Sequence, residues 1–249
     1  MDELNWQART ELLIGVDNLL KLKNANVLVA GLGGVGGYAA EALCRAGIGN
    51  LSIVDNDVVT TTNRNRQLLA LKSAQGREKA GLMGERLLDI NPDANIKVFK
   101  TYLKDNRTEE ILNDDFDYVV DAIDTLSPKI FFIKHCMDRR IPLISSMGSG
   151  GRLDPSKVRI ADISESKGCQ FAQVVRKKLH VFGIRSGFKV VYSSEPVLKG
   201  SVIVTDNSPN KKSTVGTISY LPAIFGLMAA SEVIRDVIGW QKNITGPKL

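Results

Sequence analysis

Cysteine is scarce in this chain. Its three residues, Cys44, Cys136 and Cys169, are odd in number, widely spaced and never in a CxxC pair, which argues against a disulfide framework and a cysteine zinc site. Histidine is scarcer still, and neither His135 nor His180 suggests a metal ligand. No run approaches the roughly eighteen apolar residues that a membrane-spanning helix needs. The start, Met1-Asp2-Glu3-Leu4, is acidic and lacks an apolar signal core, so a cytoplasmic protein is expected. Internal repeats and low-complexity tracts are also missing.

What the chain does carry is basic charge. A net charge of +6 and a pI near 9.2 permit a polyanionic partner without requiring one, since solvated lysines account equally well for charge alone. With 249 residues and 43% apolar content, a full core can be buried as one large domain or two small ones.

The most informative stretch runs from Val27 to Asp57. Val27 to Ala30 is a short β-branched run, stopped by Gly31-Leu32-Gly33-Gly34-Val35-Gly36-Gly37. Good helix formers follow from Tyr38 to Ala46, then the apolar run Leu51 to Val54, then Asp55-Asn56-Asp57. Strand, glycine turn, helix and strand form the unit whose helix N-terminus holds a phosphate on free backbone N–H groups. Gly31, Gly33 and Gly36 suit the tight turn, the approach to phosphate and close helix–strand packing, and Asp55 stands where a ribose hydroxyl needs an acceptor. The turn alone favours NAD or FAD. Asn63, Arg66, Lys79 and Asp124 change that balance, because they fall at loops or helix starts able to converge above the carboxyl edge of such a sheet. Cations and a carboxylate beside a phosphate chain suit a nucleoside triphosphate with Mg²⁺, whereas hydride transfer has no need of them.

Elsewhere the pattern predicts a helix over 1–25 and another over Ser73–Ile90, ended by Asn91-Pro92. Strands are expected at 96–101, 118–122 and 141–145, with helices at 107–112 and 127–139 between them. Past Gly151 come strands at 158–163 and 188–192, a basic helix over Gln170–Phe182, a polar, mobile loop over Lys199–Thr214, and an apolar helix over Leu221–Ile238. Strands alternating with helices predict an α/β fold: a Rossmann-like, mostly parallel sheet with helices on both faces, plus a C-terminal extension with further strands, the basic helix and a buried helix. The expected organisation is an arm over 1–25, a nucleotide-binding core over 26–151 and a substrate-side extension over 152–249.

Five segments in order, Gly31-Leu32-Gly33-Gly34-Val35-Gly36, Val54-Asp55-Asn56-Asp57, Asn63-Arg64-Asn65-Arg66-Gln67, Lys79 and Asp121-Ala122-Ile123-Asp124, resemble the ATP-dependent adenylating superfamily of ThiF, ubiquitin-activating enzymes and molybdopterin-synthase adenylyltransferases. The superfamily's usual leucine after the asparagine is Arg64 here. The resemblance implies ATP and Mg²⁺ as cofactors. It places Gly31, Gly33, Gly34, Gly36, Asp55, Asp57, Asn63, Arg66, Gln67 and Lys79 around the nucleotide, with Asp124 on the metal. It also implies a homodimer in which Arg9 reaches the neighbour's ATP, making Arg9, Arg66, Lys79 and Asp124 the expected catalytic set.

Further stretches, Ser146–Pro155, Arg176–Leu179, Val190–Ser193 and Gly216–Pro222, resemble the tRNA threonylcarbamoyladenosine dehydratase branch of that superfamily. This implies a tRNA substrate whose threonyl carboxylate is adenylated and then attacked internally to close a ring. It also gives Lys157, Arg159, Arg176, Lys177, Lys178, Lys211 and Lys212 phosphates to contact. A sulfurtransferase-type protein partner is a further expectation. The alternatives are an adenylyltransferase for a ubiquitin-like or sulfur-carrier protein, an NAD(P)-dependent oxidoreductase, and a catalytically silent nucleotide-binding partner. Cys169 follows Gly168 near a helix start, but the dehydratase reaction needs no covalent cysteine.

Overall fold

Val27 and Val29 pack into one hydrophobic cluster and Leu28 and Ala30 into another, and all four are fully buried. A strand with successive side chains in opposite cores must have layers on both faces. A computed structural model describes residues 5–104, 106–204 and 213–240 and shows those layers.

The chain runs α1 (Ala8–Ile14), α2 (Val16–Asn24), β1 (Asn26–Ala30), α3 (Gly36–Ala46), β2 (Asn50–Val54), α4 (Lys79–Ile90) and β3 (Asn95–Phe99). It continues α5 (Asn106–Ile111), β4 (Tyr118–Asp121), α6 (Leu126–Asp138), β5 (Leu143–Ser146), β6 (Val158–Asp162), α7 (Gln170–His180) and β7 (Lys189–Ser193). A short antiparallel pair, β8 (Val202–Val204) and β9 (Ser213–Val215), precedes α8 (Tyr220–Val237). Seven strands form one sheet in the order β3-β2-β1-β4-β5-β7-β6, parallel except for β6 against β7. Residues of α3, α4 and α8 join the cluster on one face, and those of α5, α6 and α7 the cluster on the other. The expected Rossmann-like sheet is present. Its strand order reverses beside β1, and Ala30 pairs level with both Val54 and Asp121, so three strand ends open together at that switch point.

The apolar helix expected near the C-terminus is α8, and it packs on α3 and the sheet. A Cβ on Gly226 would lie 2.3 Å from the Val35 carbonyl oxygen, so only glycine lets α8 rest on the start of α3.

Three expectations are corrected. The helix expected over 1–25 is two helices, because Gly15 turns the chain between them at φ +80. The helix expected from Ser73 begins only at Lys79. Gly76, at φ +82, breaks the pattern, and its N–H donates to the Val59 carbonyl while Glu78 bridges Val58. The stretch Lys199–Thr214, expected as a loop, contains β8 and the start of β9; Lys211 and Lys212 lie outside the described residues. Among the described residues no helix is long and apolar enough to cross a membrane.

Candidate active site

The turn after β1 shows what each glycine does. A Cβ on Gly36 would lie 1.7 Å from the Gly31 carbonyl oxygen, and one on Gly31 would lie 2.8 Å from that of Ala122. Gly34 packs against Pro222 and Arg66. Gly33 differs, since the nearest atom to a Cβ there is Gln67 Nε2 at 3.6 Å. Gly33 is therefore the least crowded of the four, in ordinary contact with the Gln67 amide alone, and no side chain caps α3 at Val35. Uncapped first-turn N–H groups at the positive end of a helix dipole are what a phosphate requires. On the amide beside Gly33, Gln67 Oε1 is buried without a hydrogen-bond partner, an acceptor available to a ligand donor.

Asp55 follows β2 and ties it to this turn. Its Oδ2 accepts from the Leu32 N–H at 2.6 Å and its Oδ1 from the Asp57 N–H at 2.7 Å. Burial pushes the Asp55 carboxyl above its ordinary pKa, opposed by the Lys79 ammonium and by those two N–H groups. A carboxylate oxygen has more than one acceptor site, so hydroxyl donors can still be received.

Lys79 opens α4, which is why the shorter helix matters. Its N–H donates to the Asp57 carbonyl at 3.0 Å and its ammonium to Asp57 Oδ2 at 2.8 Å. The lysine side chain is 5% exposed and that of Asp57 61% exposed, so the charge is delivered from beneath the loop to its outer rim.

Asn63 is buried and caps its own turn, its Oδ1 accepting from the Thr60 N–H at 3.1 Å. Arg66 donates to the Thr62 carbonyl at 2.9 Å and to Asn65 Oδ1 at 2.8 Å. The Asn65 amide in turn donates to the Thr217 carbonyl at 2.8 Å, fastening this loop to the C-terminal stretch. Arg66 thus borders Gly34 with its guanidinium turned onto its own loop.

Beyond β4, the turn Asp121-Ala122-Ile123-Asp124 rests on a charged group that sequence reading overlooked. Lys129 Nζ lies 2.6 Å from Asp121 Oδ2, the Ser145 hydroxyl donates to the same oxygen at 2.6 Å, and all three residues have no exposed surface. Asp121 Oδ1 accepts from the Ile123 N–H at 3.0 Å. Burial pulls the Lys129 pKa down, while Asp121 and Asp124 pull it back up. A sequence signal existed: Lys129 interrupts an otherwise apolar helix face beside Ile130, Phe132 and Ile133. Asp124 itself is exposed just before α6.

Arg9 lies elsewhere. It is exposed on α1, and the residue before that helix, Gln7, packs on Gly47 at the far end of α3. Eleven residues of α3 separate that end from the glycine turn, about 16 Å at the helical rise. Arg9 does not join the other site residues within one chain. Cys169 is 2% exposed at the start of α7 and accepts from buried Arg152 at 3.4 Å. Arg152 also donates to the carbonyls of Gly148 and Glu195, at 2.8 Å each, which makes it a clamp between loops.

The ThiF family profile matches residues 6–248. The chain belongs to the ThiF family. It is similar to tRNA threonylcarbamoyladenosine dehydratase of Bacillus subtilis, at 41% identity over 94% of this chain and 95% of that protein. The structure is similar to the crystal structure of Escherichia coli tRNA N6-threonylcarbamoyladenosine dehydratase in complex with ATP. That likeness has a TM-score of 0.85 and 31% identity and covers 93% of each chain. A probable molybdopterin-synthase adenylyltransferase of Porphyra purpurea is 25% identical over 91% of this chain and 51% of that protein. In this ThiF-family chain, Gly33 follows β1, Asp55 follows β2, Arg66 lies in the loop before α4, Lys79 opens α4 and Asp124 lies between β4 and α6, whereas Arg9 stands apart on α1.

Proposed function

We propose that this chain uses ATP to cyclise N6-threonylcarbamoyladenosine beside the tRNA anticodon, with loss of water. The observation that carries the reading is the start of α3, capped by no side chain, after a glycine turn to which Asp55 is tied and beside the loop that Lys79 supports. The similarity to dehydratases over nearly the whole chain supports the choice of substrate. The threonyl carboxylate oxygen attacks the α-phosphorus of ATP, the bond to the β-phosphate breaks, and pyrophosphate leaves. A nucleophile of the same side chain then attacks the acyl carbon, AMP departs with the carboxylate oxygen, and a proton passes to solvent. Because the second step is intramolecular, the protein has mainly to orient the side chain and exclude water.

In this reading Asp55 receives the ribose hydroxyls, with the Asp57-linked Lys79, Arg66 and Asn63 around the phosphates. Gln67 Oε1 gains a partner from the ligand. Arg66 turns away from the Thr62 carbonyl to meet the charge that develops as pyrophosphate leaves. Asp124 would hold Mg²⁺, which takes one or two carboxylates together with substrate phosphates and would neutralise their charge. The protein would work in the cytoplasm, where its tRNA substrate is.

ATP affinity is expected to fall as pH drops. Asp55 binds the ribose only when ionised and its pKa is raised, so the loss begins above the ordinary Asp value of about 3.9. Calorimetric titration of the wild type and Asp55→Asn across pH separates this from the titration of ATP itself. The variant should bind weakly and lack the Asp55 component; parallel curves would remove Asp55 from the ribose.

We further infer a homodimer in which Arg9 serves the partner's site. Leu12, Leu13, Val16 and Leu20 are exposed on the same arm, at 90%, 82%, 63% and 54%. That is an apolar surface suited to a second copy. Mixing inactive Arg9→Ala and Lys79→Ala chains should restore part of the activity in the heterodimer, which carries one intact composite site. A confirmed heterodimer without activity would refute the trans role.

A further inference from the structure

Between Glu165 and Glu195 the chain has no acidic residue, yet it carries Lys167, Arg176, Lys177, Lys178, Arg185 and Lys189. The fold sorts these cations. Arg176 is structural, its guanidinium donating to the carbonyls of Ile163 and Ser166 at 3.3 and 2.9 Å. Lys189 is held by Glu232 and Asp236. Lys177, Lys178 and Arg185 are exposed, and no hydrogen bond or ion pair holds them among the described residues.

Beside them stands an aromatic pair. Phe131 of α6 and Phe182 just past α7 are 49% and 39% exposed, with ring centroids 5.9 Å apart. Lys134 sits over the Phe182 ring at 5.9 Å while paired to Asp138. Val174 of α7 and Val181 just after it add exposed apolar area. Rings half-open to solvent on a face that also carries the unpaired Lys177, Lys178 and Arg185 match single-stranded RNA, whose splayed bases stack on aromatics while cations meet the backbone. The face is also continuous with the site. Helix α6 begins two residues after Asp124, placing Phe131 about 7.5 Å along its axis from the first helical residue. Cys169 is the N-cap residue of α7, and its thiol points to the carbonyl of Met147, the residue after β5.

We propose that the α6–α7 face receives the tRNA. Loop bases stack on Phe131 and Phe182, and Lys177, Lys178 and Arg185 contact phosphates, so that the modified adenosine reaches Asp124 and Arg66. This rests on the dehydratase reading and adds the docking surface to it.

Two variants test it, Lys177→Glu/Lys178→Glu/Arg185→Glu and Phe131→Ala/Phe182→Ala. Both alter exposed positions outside the nucleotide crevice. Binding of tRNA bearing threonylcarbamoyladenosine is followed by fluorescence anisotropy across salt. The triple variant should bind at least about tenfold more weakly, with its log–log salt slope reduced by roughly 2 to 3, or 0.7–0.9 per lost phosphate contact. The phenylalanine variant should lose about tenfold with little change in slope. Both should raise KM for tRNA while ATP affinity and dimer mass stay as in wild type. Wild-type affinity in both variants would overturn the surface while leaving the function intact, provided the wild type still cyclises tRNA. Loss of dimer mass in either variant would make the face a contact between copies and overturn the proposal. Unchanged tRNA binding with lost binding of an acidic protein partner would overturn it likewise. A wild type that neither binds nor modifies tRNA would sink the dehydratase reading itself.

Discussion

Replacing Lys79 with Met is expected to lower tRNA-dependent ATP–pyrophosphate exchange by about 10²–10³-fold, the usual cost of removing one preorganised charge-stabilising donor. The side chain is almost wholly covered, and its ammonium is aimed outward at Asp57 Oδ2 from the first residue of α4. Met keeps the covered methylenes and removes only the charge. Stability should barely move, since Asp57 is 61% exposed and such half-exposed pairs contribute no more than about 1 kcal/mol. A melting temperature near wild type with exchange nearly abolished is the predicted combination. Exchange at the wild-type rate would remove Lys79 from the phosphates.

Lys129→Met should have the opposite signature, a large loss of stability. Asp121 and Lys129 have no exposed surface, and removing one partner of such a pair leaves a buried charge uncompensated. The expected cost is about 3–5 kcal/mol. At roughly 2–4 °C per kcal/mol for a chain of this size, the melting temperature should fall by about 6–20 °C. Adding Asp121→Asn removes the stranded charge and should recover much of that loss, because the amide oxygen can still accept from the Ile123 N–H while the amide NH2 donates to the Ser145 hydroxyl oxygen. Calorimetry on the single and double variants gives the answer. A double variant no more stable than the single one would show that the pair's charge is not what holds the turn before Asp124.

The glycine turn between β1 and α3 was legible in the sequence because its requirements are local. Strand, glycine turn and helix each occupy a few residues, and the Gly36 contact with Gly31 lies within one turn of chain. Asn63, Arg66, Lys79 and Asp124 were readable by residue type, although their placement depends on strand order and helix starts. The start of α4 was misread because most of Ser73–Glu78 are residue types that a helix accepts, while the pairing of Val58 and Val59 with Gly76, Arg77 and Glu78 is tertiary and leaves no local trace. The buried triad escaped for a related reason: Asp121, Lys129 and Ser145 come from two strands and a helix and meet only in the folded sheet. Arg176 reads as surface charge in sequence, yet it is turned onto carbonyls that its own helix does not contain.

The most direct test follows one oxygen. Threonylcarbamoyladenosine in tRNA, carrying heavy oxygen in its threonyl carboxylate, is incubated with the protein, ATP and Mg²⁺, and nucleosides and nucleotides are weighed by mass spectrometry. Adenylation of that carboxylate followed by internal attack predicts a nucleoside lighter by one labelled water and AMP carrying one heavy oxygen. Cyclised nucleoside without label in AMP would contradict the acyl-adenylate, and intact nucleoside with no AMP formed would contradict the dehydratase itself.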